Sequence, residues 1–392
     1  MKKNKAVIID CYSRGNYHEV INQGYLMMIS NLYEQVTYIA DGSSCCNLRK
    51  LLDSCGYNYS NVNFVEKDFN YRRYKWAGFD YLIHLVAVSW NNFKLYKATP
   101  DGVDVFFNNN IQFAILLISK FAKKNRNRII DMCHSELELI DSFYEGSRVN
   151  RILGIYYRFV FQKNRIDKRM RFILLSSAMA DYFKSFVSED NRDKIGWIDH
   201  CYIRPVSRLL EFDNVEFEGV KIGIPGLISL KRGLSELKDV LKLLNNKNLK
   251  VYSISAITEH LENPHFQELN STGALLPFPQ YNWYIKQMDA LALFYTPGSY
   301  KLTASGAVLE AIWNEKPIIA FENEYFKYLF GKFGSLGVLC KSVEELAFAL
   351  NNISVDDINK YKSNLAKAKE CLLPKNVEHQ LIKEINKLHE MV

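Results

Sequence analysis

A serine–glycine pair with a glutamate one helical turn beyond it has the residue types and the spacing to bind a phosphate and a diol. Ser305 and Gly306 stand where a helix is expected to begin after the apolar pattern ALALF, and Glu310 falls on the same side of that helix. Free N–H groups and the positive dipole at a helix start attract an anion, and glycine lets it approach the backbone. A carboxylate accepts the two hydrogen bonds of a vicinal diol. The alternatives are a helix cap for Ser305 and a solvated surface residue for Glu310.

Two further candidate sites follow strand patterns in the N-terminal half. Gly15 and His18 lie in the loop after the first strand, CYSRGNYH, where Gly15 suits a tight turn lining an acceptor cleft. His134 follows the pattern RIIDM. A histidine at the carboxyl end of a strand can donate a hydrogen bond or act as a base near neutral pH. The alternative for both histidines is a buried or helix-capping side chain.

The elements that position these residues are short apolar runs that alternate with amphipathic helical patterns. This alternation predicts parallel, doubly wound sheets, in which ligands lie outside the carboxyl ends of the strands. The first series of predicted strands is Ala6–Asp10, Val36–Ala40, Val62–Val65, Val103–Phe107, Arg128–Met132 and Phe172–Leu175. The second is Val220–Ile224, Lys250–Ile254, Ala274–Leu276, Ala290–Phe294, Pro317–Phe321 and Gly337–Cys340.

An acidic segment without motifs, near residues 204–218, separates the two series. We therefore predict an N-terminal domain over 1–205 and a second domain over 206–355. Residues 356–392 have a Lys-rich helical pattern and are expected as C-terminal helices, with the option of packing back on the N-terminal domain. A length of 392 residues with 48% hydrophobic residues is sufficient for two packed cores.

Cysteine usage and the apolar runs indicate a cytoplasmic protein. The eight cysteines include no C-x-x-C pair, so we expect reduced thiols. The longest apolar runs stop well short of the ~20 residues that a membrane span requires. The first residues, MKKNK, lead directly into the strand pattern AVIID and offer no signal peptide.

The segment 148–171 contains eight basic residues and one acidic residue, Asp167. As a single helix it would present one basic face, which predicts docking to an anionic membrane surface. The membrane-facing residues would be Arg148, Arg151, Arg158, Arg165 and Arg169. The alternative is an ordinary solvated helix face. Nucleic acid is not expected as a partner because no binding motif accompanies the charge.

Three stretches resemble GT-B glycosyltransferases, in particular family 4. SGAVLEAIWNEKPIIAF is similar to the family's donor-site pattern G-x-x-x-L-E-A-x-A-x-G-x-P-V-I, which follows a strand. The stretch 273–299 is similar to the family's run from its base-binding loop, and KIGIPGLISLKRG to its opening strand and K-G turn. Together they cover about residues 220–350. The resemblance implies the GT-B fold, an α/β architecture of two Rossmann-like, doubly wound parallel-sheet domains that face a central cleft.

The resemblance also implies roles in binding a nucleotide diphosphate-sugar donor. The backbone that holds the diphosphate corresponds to Ser305, Gly306 and Ala307, and Glu310 corresponds to the glutamate that grips the ribose. Basic side chains that neutralise the leaving diphosphate correspond to Lys231 and Arg232. The loop that contacts the base corresponds to Leu276, Pro277 and Tyr281. His134 resembles a cleft histidine that contacts the donor sugar.

Departures from the family pattern leave the stereochemistry open. Leu302 stands where many members carry an additional glutamate, and Gly226-Leu227 stands where a basic residue is usual. If the reaction inverts, the candidate bases are Asp10, Asp131 and Glu136. The chain contains no D-x-D, so neither a metal nor a cofactor is expected. Side-chain charges and the helix dipole must neutralise the diphosphate instead.

The predicted function is transfer of a sugar from a UDP or GDP donor, the base being undecided, to a lipid-linked or saccharide acceptor. The resemblance and the basic segment together suggest cell-surface polysaccharide or lipopolysaccharide synthesis, with peripheral attachment at the cytoplasmic face of a membrane. One alternative is a nucleotide-sugar epimerase of the same fold. Another is a non-catalytic nucleotide-sugar-binding protein. A dinucleotide oxidoreductase is disfavoured because no G-x-G-x-x-G follows a predicted strand.

Overall fold

The structure is a computed structural model, and it divides into two compact units. It describes residues 2–69, 71, 77–108, 111–141, 148–163, 166–205, 212–270, 273–274, 276–295 and 298–392. The first unit comprises Met1–Pro205, Leu302–Ala304 and Leu372–Val392, and the second comprises Val206–Lys301 and Ser305–Cys371. Arg165, one of the predicted membrane-facing residues, lies outside the described residues, as does the side chain of Lys231.

The first unit is built on a parallel sheet. Its strands in the described residues are β1 (Lys3–Asp10), β2 (Tyr33–Asp41), β3 (Val62–Lys67), β4 (Asp104–Phe107), β5 (Arg128–Met132), β6 (Met170–Leu174) and β7 (Ile195–Trp197). They are ordered β3-β2-β1-β4-β5-β6-β7, and every pairing is parallel. The strand order reverses between β1 and β4, so the carboxyl ends of these two strands border the crevice in which doubly wound sheets bind ligands.

Helices and short turns connect these strands. The α-helices are α1 (Glu19–Leu32), α2 (Gly42–Ser54), α3 (Ala77–Lys97), α4 (Ile115–Asn125), α5 (Arg148–Arg158), α6 (Ser177–Lys184) and α7 (Glu189–Arg192). Two 3₁₀ turns cover Gln112–Ala114 and Glu136–Ile140, and a π-helical turn covers Phe159–Lys163. All residues of β4 and β6 are buried, as expected for central parallel strands with helices on both faces.

The second unit has a smaller parallel sheet. Its strands in the described residues are β8 (Val220–Ile224), β9 (Leu249–Ser253), β10 (Phe266–Glu268), β11 (Ala290–Leu293), β12 (Ile318–Phe321) and β13 (Gly337–Cys340). They are ordered β10-β9-β8-β11-β12-β13, so the order reverses between β8 and β11. A 3₁₀ turn covers Leu230–Arg232. The helices are α8 (Leu234–Leu243), α9 (Phe278–Gln287), α10 (Gly306–Trp313), α11 (Glu324–Phe333), α12 (Val343–Asn352), α13 (Val355–Asn359) and α14 (Lys362–Cys371).

Two of the predicted elements differ from the structure. The strand predicted at Ala274–Leu276 is wrong: the strand lies at Phe266–Glu268 instead. Gly273 has a positive φ and Pro277 caps α9, so Ala274 and Leu276 lie outside any strand and precede a helix, while Leu275 is outside the described residues. The prediction of one helix through 148–171 is also wrong, because α5 ends at Arg158 and the chain enters β6 at Met170.

Arg169 and Arg171, the last two basic residues of the segment 148–171, both form ion pairs. Arg169 pairs with Asp167, and Arg171 lies in β6 and pairs with Glu384. Glu384 belongs to the C-terminal helix α15 (Pro374–Glu390), which is part of the first unit. Neither Arg169 nor Arg171 therefore presents its charge on the face of α5. All eight cysteines are free thiols.

Candidate functional site

The two loops predicted to bind the donor follow the two strands that flank the reversal point of the second sheet. The 3₁₀ turn Leu230–Arg232 comes after β8, and α10 comes after β11. In a parallel doubly wound sheet this is the edge where ligands bind. Gly233 has φ +83°, and a Cβ atom there would overlap the carbonyl oxygen of Phe294, directly after β11. The turn that carries Lys231 and Arg232 therefore lies against the carboxyl end of β11.

Ser305 and Gly306 begin α10 in the way the sequence predicts. Ser305 is the N-cap, and its Oγ accepts a hydrogen bond from the Val308 N–H at 3.3 Å and lies 3.2 Å from the Tyr295 hydroxyl. Gly306 is exposed, and a Cβ atom on it would meet no other atom within 4 Å. Ser305 is thus a cap, while the space in front of Gly306 is open for an anion to reach the first N–H groups of the helix.

Glu310 is not a solvated helix residue, since only 5% of it is exposed. Its neighbours Val308, Leu309, Ala311 and Ile312 are buried as well, so α10 is enclosed on all sides beyond its first turn. Ala307, next to Gly306, is half-buried. A carboxylate buried this deeply needs hydrogen-bond donors, and its predicted contact with a ligand diol stays a prediction.

Of the remaining predicted donor residues, Arg232 and Pro277 are exposed, and Leu276 and Tyr281 are half-buried. Arg232 is exposed at the end of its turn, as a side chain that meets a soluble anion should be. Leu276 and Pro277 precede α9, Pro277 is its N-cap, and Tyr281 lies in its first turn with its N–H bonded to the Pro277 carbonyl at 3.0 Å. Because α9 runs back to β11, its start faces the same carboxyl edge of the sheet. Their predicted contact with the base stays a prediction.

In the first unit the structure brings His18 and His134 together. His18 caps α1 after β1 with φ 57°, and its ring centroid lies 4.6 Å from that of His134, which follows β5. The His134 Nε2 atom is 2.7 Å from the Asn108 carbonyl oxygen, after β4, so Nε2 carries the proton and donates. These loops lie at the carboxyl edge of the first sheet: those after β1 and β4 flank its reversal point, and the loop after β5 is next to them.

A third histidine, His200, joins this group, and sequence reasoning missed it because it follows no motif. Burial lowers the pKa of His18 and of His200 to about 4, and burial and the two other rings lower the pKa of His134. All three imidazoles are therefore neutral at pH 7 and act as hydrogen-bonding groups instead of cations. Gly15 has φ 57°, and its N–H donates a hydrogen bond to the Ser43 hydroxyl oxygen at 2.9 Å. This hydrogen bond fixes the predicted turn after β1.

One set of three metal-ligating side chains lies close together in the described residues: Asp131, Cys133 and Glu136, with their ligand atoms within 4.8 Å of one another. Burial raises the pKa of the Cys133 thiol, and one oxygen of Glu136 accepts a hydrogen bond from the His134 backbone N–H. The predicted metal-independence stays a prediction.

Comparison with known proteins identifies the fold. No protein-family model matches the sequence, and no curated protein matches it. The structure is similar to a glycosyltransferase from Rickettsia africae ESF-5, with TM-score 0.57 and 12% identity over 100% of this chain and 98% of that one. It is also similar to the N-terminal domain of trehalose-6-phosphate phosphatase from Candida albicans, with TM-score 0.60 and 12% identity over 99% and 97% of the chains.

A third similar structure is that of UGT89C1 from Arabidopsis thaliana in complex with UDP-L-rhamnose. Here the TM-score is 0.56 and the identity 10%, over 100% of this chain and 99% of that one. Together with the two parallel sheets, these similarities establish the GT-B fold for this chain. At such low identity they establish the fold alone. The resemblance to family 4 stays a prediction.

Proposed function

We propose that this protein is a glycosyltransferase that uses a nucleotide diphosphate-sugar donor. The observation that carries the proposal is Glu310, a buried carboxylate one turn beyond the open helix start at Ser305 and Gly306, at the reversal point of a GT-B sheet. This arrangement matches a ribose diol and a diphosphate in spacing and in chemistry. The bound UDP-L-rhamnose of the similar Arabidopsis protein is consistent with it.

Each side of the reaction draws on residues of one unit. In the second unit, the start of α10 would hold the diphosphate, and Lys231 and Arg232 would neutralise the charge that develops as the sugar leaves. In the first unit, Gly15, His18 and His134 would line the acceptor site, with His134 as the candidate catalytic residue. In this proposal, groups of the chain alone bind and orient both substrates, and neither a metal ion nor a cofactor takes part.

We further propose that the first unit docks on an anionic membrane surface, where a lipid-linked acceptor would be presented. Among the described residues no helix is both long and apolar enough to cross a bilayer. However, α3 packs against both α4 and α5, and these helices with the turn after α5 share a set of exposed large apolar side chains. The set is Phe79, Tyr81, Val86, Trp90, Leu117, Ile152, Ile155 and Phe159.

Basic residues flank this apolar set, which we call the docking surface. Trp90 is 50% exposed and Lys94 lies over its ring at 5.6 Å, while Ile155 is 54% exposed between Arg151 and Arg158. Lys97, Lys120, Lys124, Arg148 and Arg151 are exposed as well. Exposed aromatic and aliphatic side chains among cations are typical of helices that lie in the headgroup region of an anionic bilayer. Polysaccharide or lipopolysaccharide assembly would suit such a location.

The docking surface predicts a specific loss of membrane binding. Replacing Arg148 and Arg151 with glutamine should weaken binding to phosphatidylserine vesicles by about 1 kcal/mol per charge, and Ile155→Ser should weaken it further. Co-sedimentation with vesicles measures this. Phe348→Ser, which removes a still more exposed apolar residue, 70% exposed, from the second unit, is the control and should bind as the unaltered protein does. Equal sedimentation of all variants would mean that the surface is only solvated.

The proposed activity is tested first by binding. A thermal-shift panel of UDP, GDP, CMP and their sugars should show stabilisation by one nucleotide family, about 2.7 kcal/mol at 100 times the dissociation constant. If none of them shifts the transition, the donor-site proposal fails. The sugar nucleotide that binds is then incubated with the protein and a lipid extract. Release of the nucleoside diphosphate supports transfer, whereas interconversion of the sugar on an intact donor would favour an epimerase.

A further inference from the structure

A large aromatic side chain is left in solvent at the ligand-binding edge of the first sheet. Tyr17 is 47% exposed, and it lies in the loop between β1 and α1. This loop flanks the reversal point of the sheet, where doubly wound folds bind ligands. The same loop carries Gly15 and His18 of the proposed acceptor site. Tyr17 is therefore placed where a ligand bound at this edge would meet it.

Tyr17 is the outer member of a stack of three rings. Its ring centroid lies 4.0 Å from that of His18, and the two ring planes differ by 17°. The His18 centroid lies 4.6 Å from that of His134, which is only 8% exposed. We call Tyr17, His18 and His134 the aromatic stack. Since His18 covers one face of the Tyr17 ring, the exposed part of Tyr17 is its opposite face and its rim.

The Tyr17 ring is held in place by the protein itself. Its backbone N–H donates a hydrogen bond to the Arg14 carbonyl oxygen at 3.1 Å, and its ring contacts that of Tyr12 at a centroid distance of 5.5 Å. Tyr12 in turn packs on His84 of α3 at 5.6 Å. A side chain that is already ordered loses little conformational entropy when a ligand covers it. The open face of Tyr17 is thus a rigid, flat surface.

The aromatic stack is uncharged at pH 7. Burial lowers the pKa of His18 to about 4 and holds that of His134 well below its ordinary value. Arg14, in the same loop, lies over the Tyr71 ring at 4.9 Å and within 4.0 Å of the Asp41 carboxylate, so this cation already has an anionic neighbour. A phosphate gains no ion pair from the three rings. The stack therefore suits an uncharged ligand.

The inner end of the stack offers a hydrogen-bond acceptor. The Nε2–H group of His134 donates to the Asn108 carbonyl oxygen at 2.7 Å, so the Nδ1 atom of this neutral imidazole keeps its lone pair. A flat ring face and a neutral acceptor are together complementary to a sugar. A pyranose has C–H groups that are attracted to the negative face of an aromatic ring, and hydroxyl groups on its rim that donate hydrogen bonds. An aliphatic chain would leave the imidazole acceptor without a donor.

A single sugar unit cannot use both ends of the stack. His18 contacts both other rings, at 4.0 Å and 4.6 Å, and the open face of Tyr17 is the one turned away from His18. A sugar whose hydroxyl group lies next to His134 therefore leaves the open face of Tyr17 to another unit of the same ligand. This spacing favours a ligand of at least two linked sugars.

We propose that Tyr17 is the stacking platform for a distal sugar unit of an oligosaccharide acceptor, one unit or more from the sugar that reacts next to His134. The role in transfer rests on the proposed function, whereas the binding of an oligosaccharide to the aromatic stack does not. The sugar chain is either free or attached to a lipid carrier, because the recognition by Tyr17 involves the sugar alone.

Binding is tested without a donor. The protein is labelled with 3-fluorotyrosine, and the ¹⁹F resonances of Tyr17 and Tyr59 are assigned by their loss in Tyr17→Phe and Tyr59→Phe. Methyl glycosides of two to four hexose, N-acetylhexosamine or 6-deoxyhexose units are then titrated. At least one series should shift the Tyr17 resonance and leave that of Tyr59, a half-buried tyrosine that bonds to Asp53. Absence of a Tyr17 shift with every glycoside would overturn the platform.

Three substitutions separate stacking from other contacts. Tyr17→Ala and Tyr17→Leu should weaken the binding of that oligosaccharide by about 3- to 10-fold because neither offers a flat ring, whereas Tyr17→Phe should stay within about twofold. Tyr59→Ala is the control away from the stack and should bind as the unaltered protein does. Circular dichroism verifies that each variant is folded. Unchanged affinity in Tyr17→Ala would overturn the platform.

The distal position is tested in transfer, with the sugar nucleotide that the thermal-shift panel identifies. Tyr17→Ala should raise the KM for the oligosaccharide acceptor by about 3- to 10-fold, and the KM for the monosaccharide that corresponds to its reacting end by less than about twofold. Equal increases for both acceptors would overturn the distal position. Assays with the same sugar chain on a lipid carrier identify its source, and transfer to a lipid phosphate that carries no sugar would overturn the substrate class.

The two proposals fail separately. If the unaltered protein binds no nucleotide but its Tyr17 resonance shifts with an oligosaccharide, the glycosyltransferase proposal falls and the platform is supported as a saccharide-binding site. If the protein binds a sugar nucleotide but no oligosaccharide, the platform falls and the proposed transfer reaction does not.

Discussion

Glu384→Ala is expected to lower the free energy of unfolding of the first unit by about 3–5 kcal/mol, the cost of breaking a buried ion pair. Arg171 and Glu384 are only 3% and 4% exposed, and the Arg171 Nε lies 2.6 Å from Glu384 Oε2. The variant would leave the guanidinium buried without its counter-charge. The pair joins β6 to α15, so the loss should detach the C-terminal helix from the sheet.

Urea unfolding followed by circular dichroism measures this loss, with Glu378→Ala as the control on the same helix. Glu378 accepts a hydrogen bond from Asn31 at 2.7 Å in an exposed position, so its removal should cost no more than about 1 kcal/mol. The double variant Arg171→Met, Glu384→Leu should recover most of the stability, because it leaves no unpaired charge. Equal losses in Glu384→Ala and Glu378→Ala would contradict the structural role of the pair.

The strands that periodicity predicts are short runs rich in β-branched, aromatic and other apolar residues, such as Ala6–Asp10 and Pro317–Phe321. Both sheets consist mostly of such strands, and their β-branched and apolar runs mark them clearly. β7 and β10 escaped prediction for a physical reason: each has three residues, and β10 reads Phe-Gln-Glu. Pairing with a neighbouring strand, not local pattern, makes them strands. The basic helix was predicted too long for the same reason, since pairing with β5 makes Met170 and Arg171 part of β6.

In the candidate site, too, the sequence predicts what is local and not what depends on packing. Ser305, Gly306 and Glu310 lie within one helical turn or two, so their spacing alone places them correctly relative to one another. The burial of Glu310 could not be predicted, because it depends on how α10 packs. The approach of His200 to His18 likewise depends on the chain beyond the local pattern. Sequence therefore predicts the chemistry of single elements, and packing determines which groups are desolvated.

Glu310→Ala should weaken the binding of the matching nucleoside diphosphate by about 1.5–3 kcal/mol, the range for hydrogen bonds to a charged group. The reason is that, in the proposed binding mode, Glu310, which is 5% exposed, accepts both hydroxyl hydrogens of the ribose one turn beyond the helix start. Calorimetry measures the affinity. Glu315→Ala is the matched control: this residue follows the same helix, pairs with Lys369 and should leave affinity unchanged.

The decisive comparison uses the 2′,3′-dideoxy analogue of the same nucleotide, which has no diol for the carboxylate to bind. If Glu310 contacts the ribose, the unaltered protein should lose affinity for the analogue, whereas Glu310→Ala should bind both ligands almost equally. The two proteins and two ligands form a double-mutant cycle, and its coupling energy should exceed about 1 kcal/mol. A cavity or folding defect in the variant would weaken the binding of both ligands by the same factor, so the coupling energy would be zero. In that case Glu310 would be a structural residue of α10, and the diphosphate would be held by the helix start without help from the ribose.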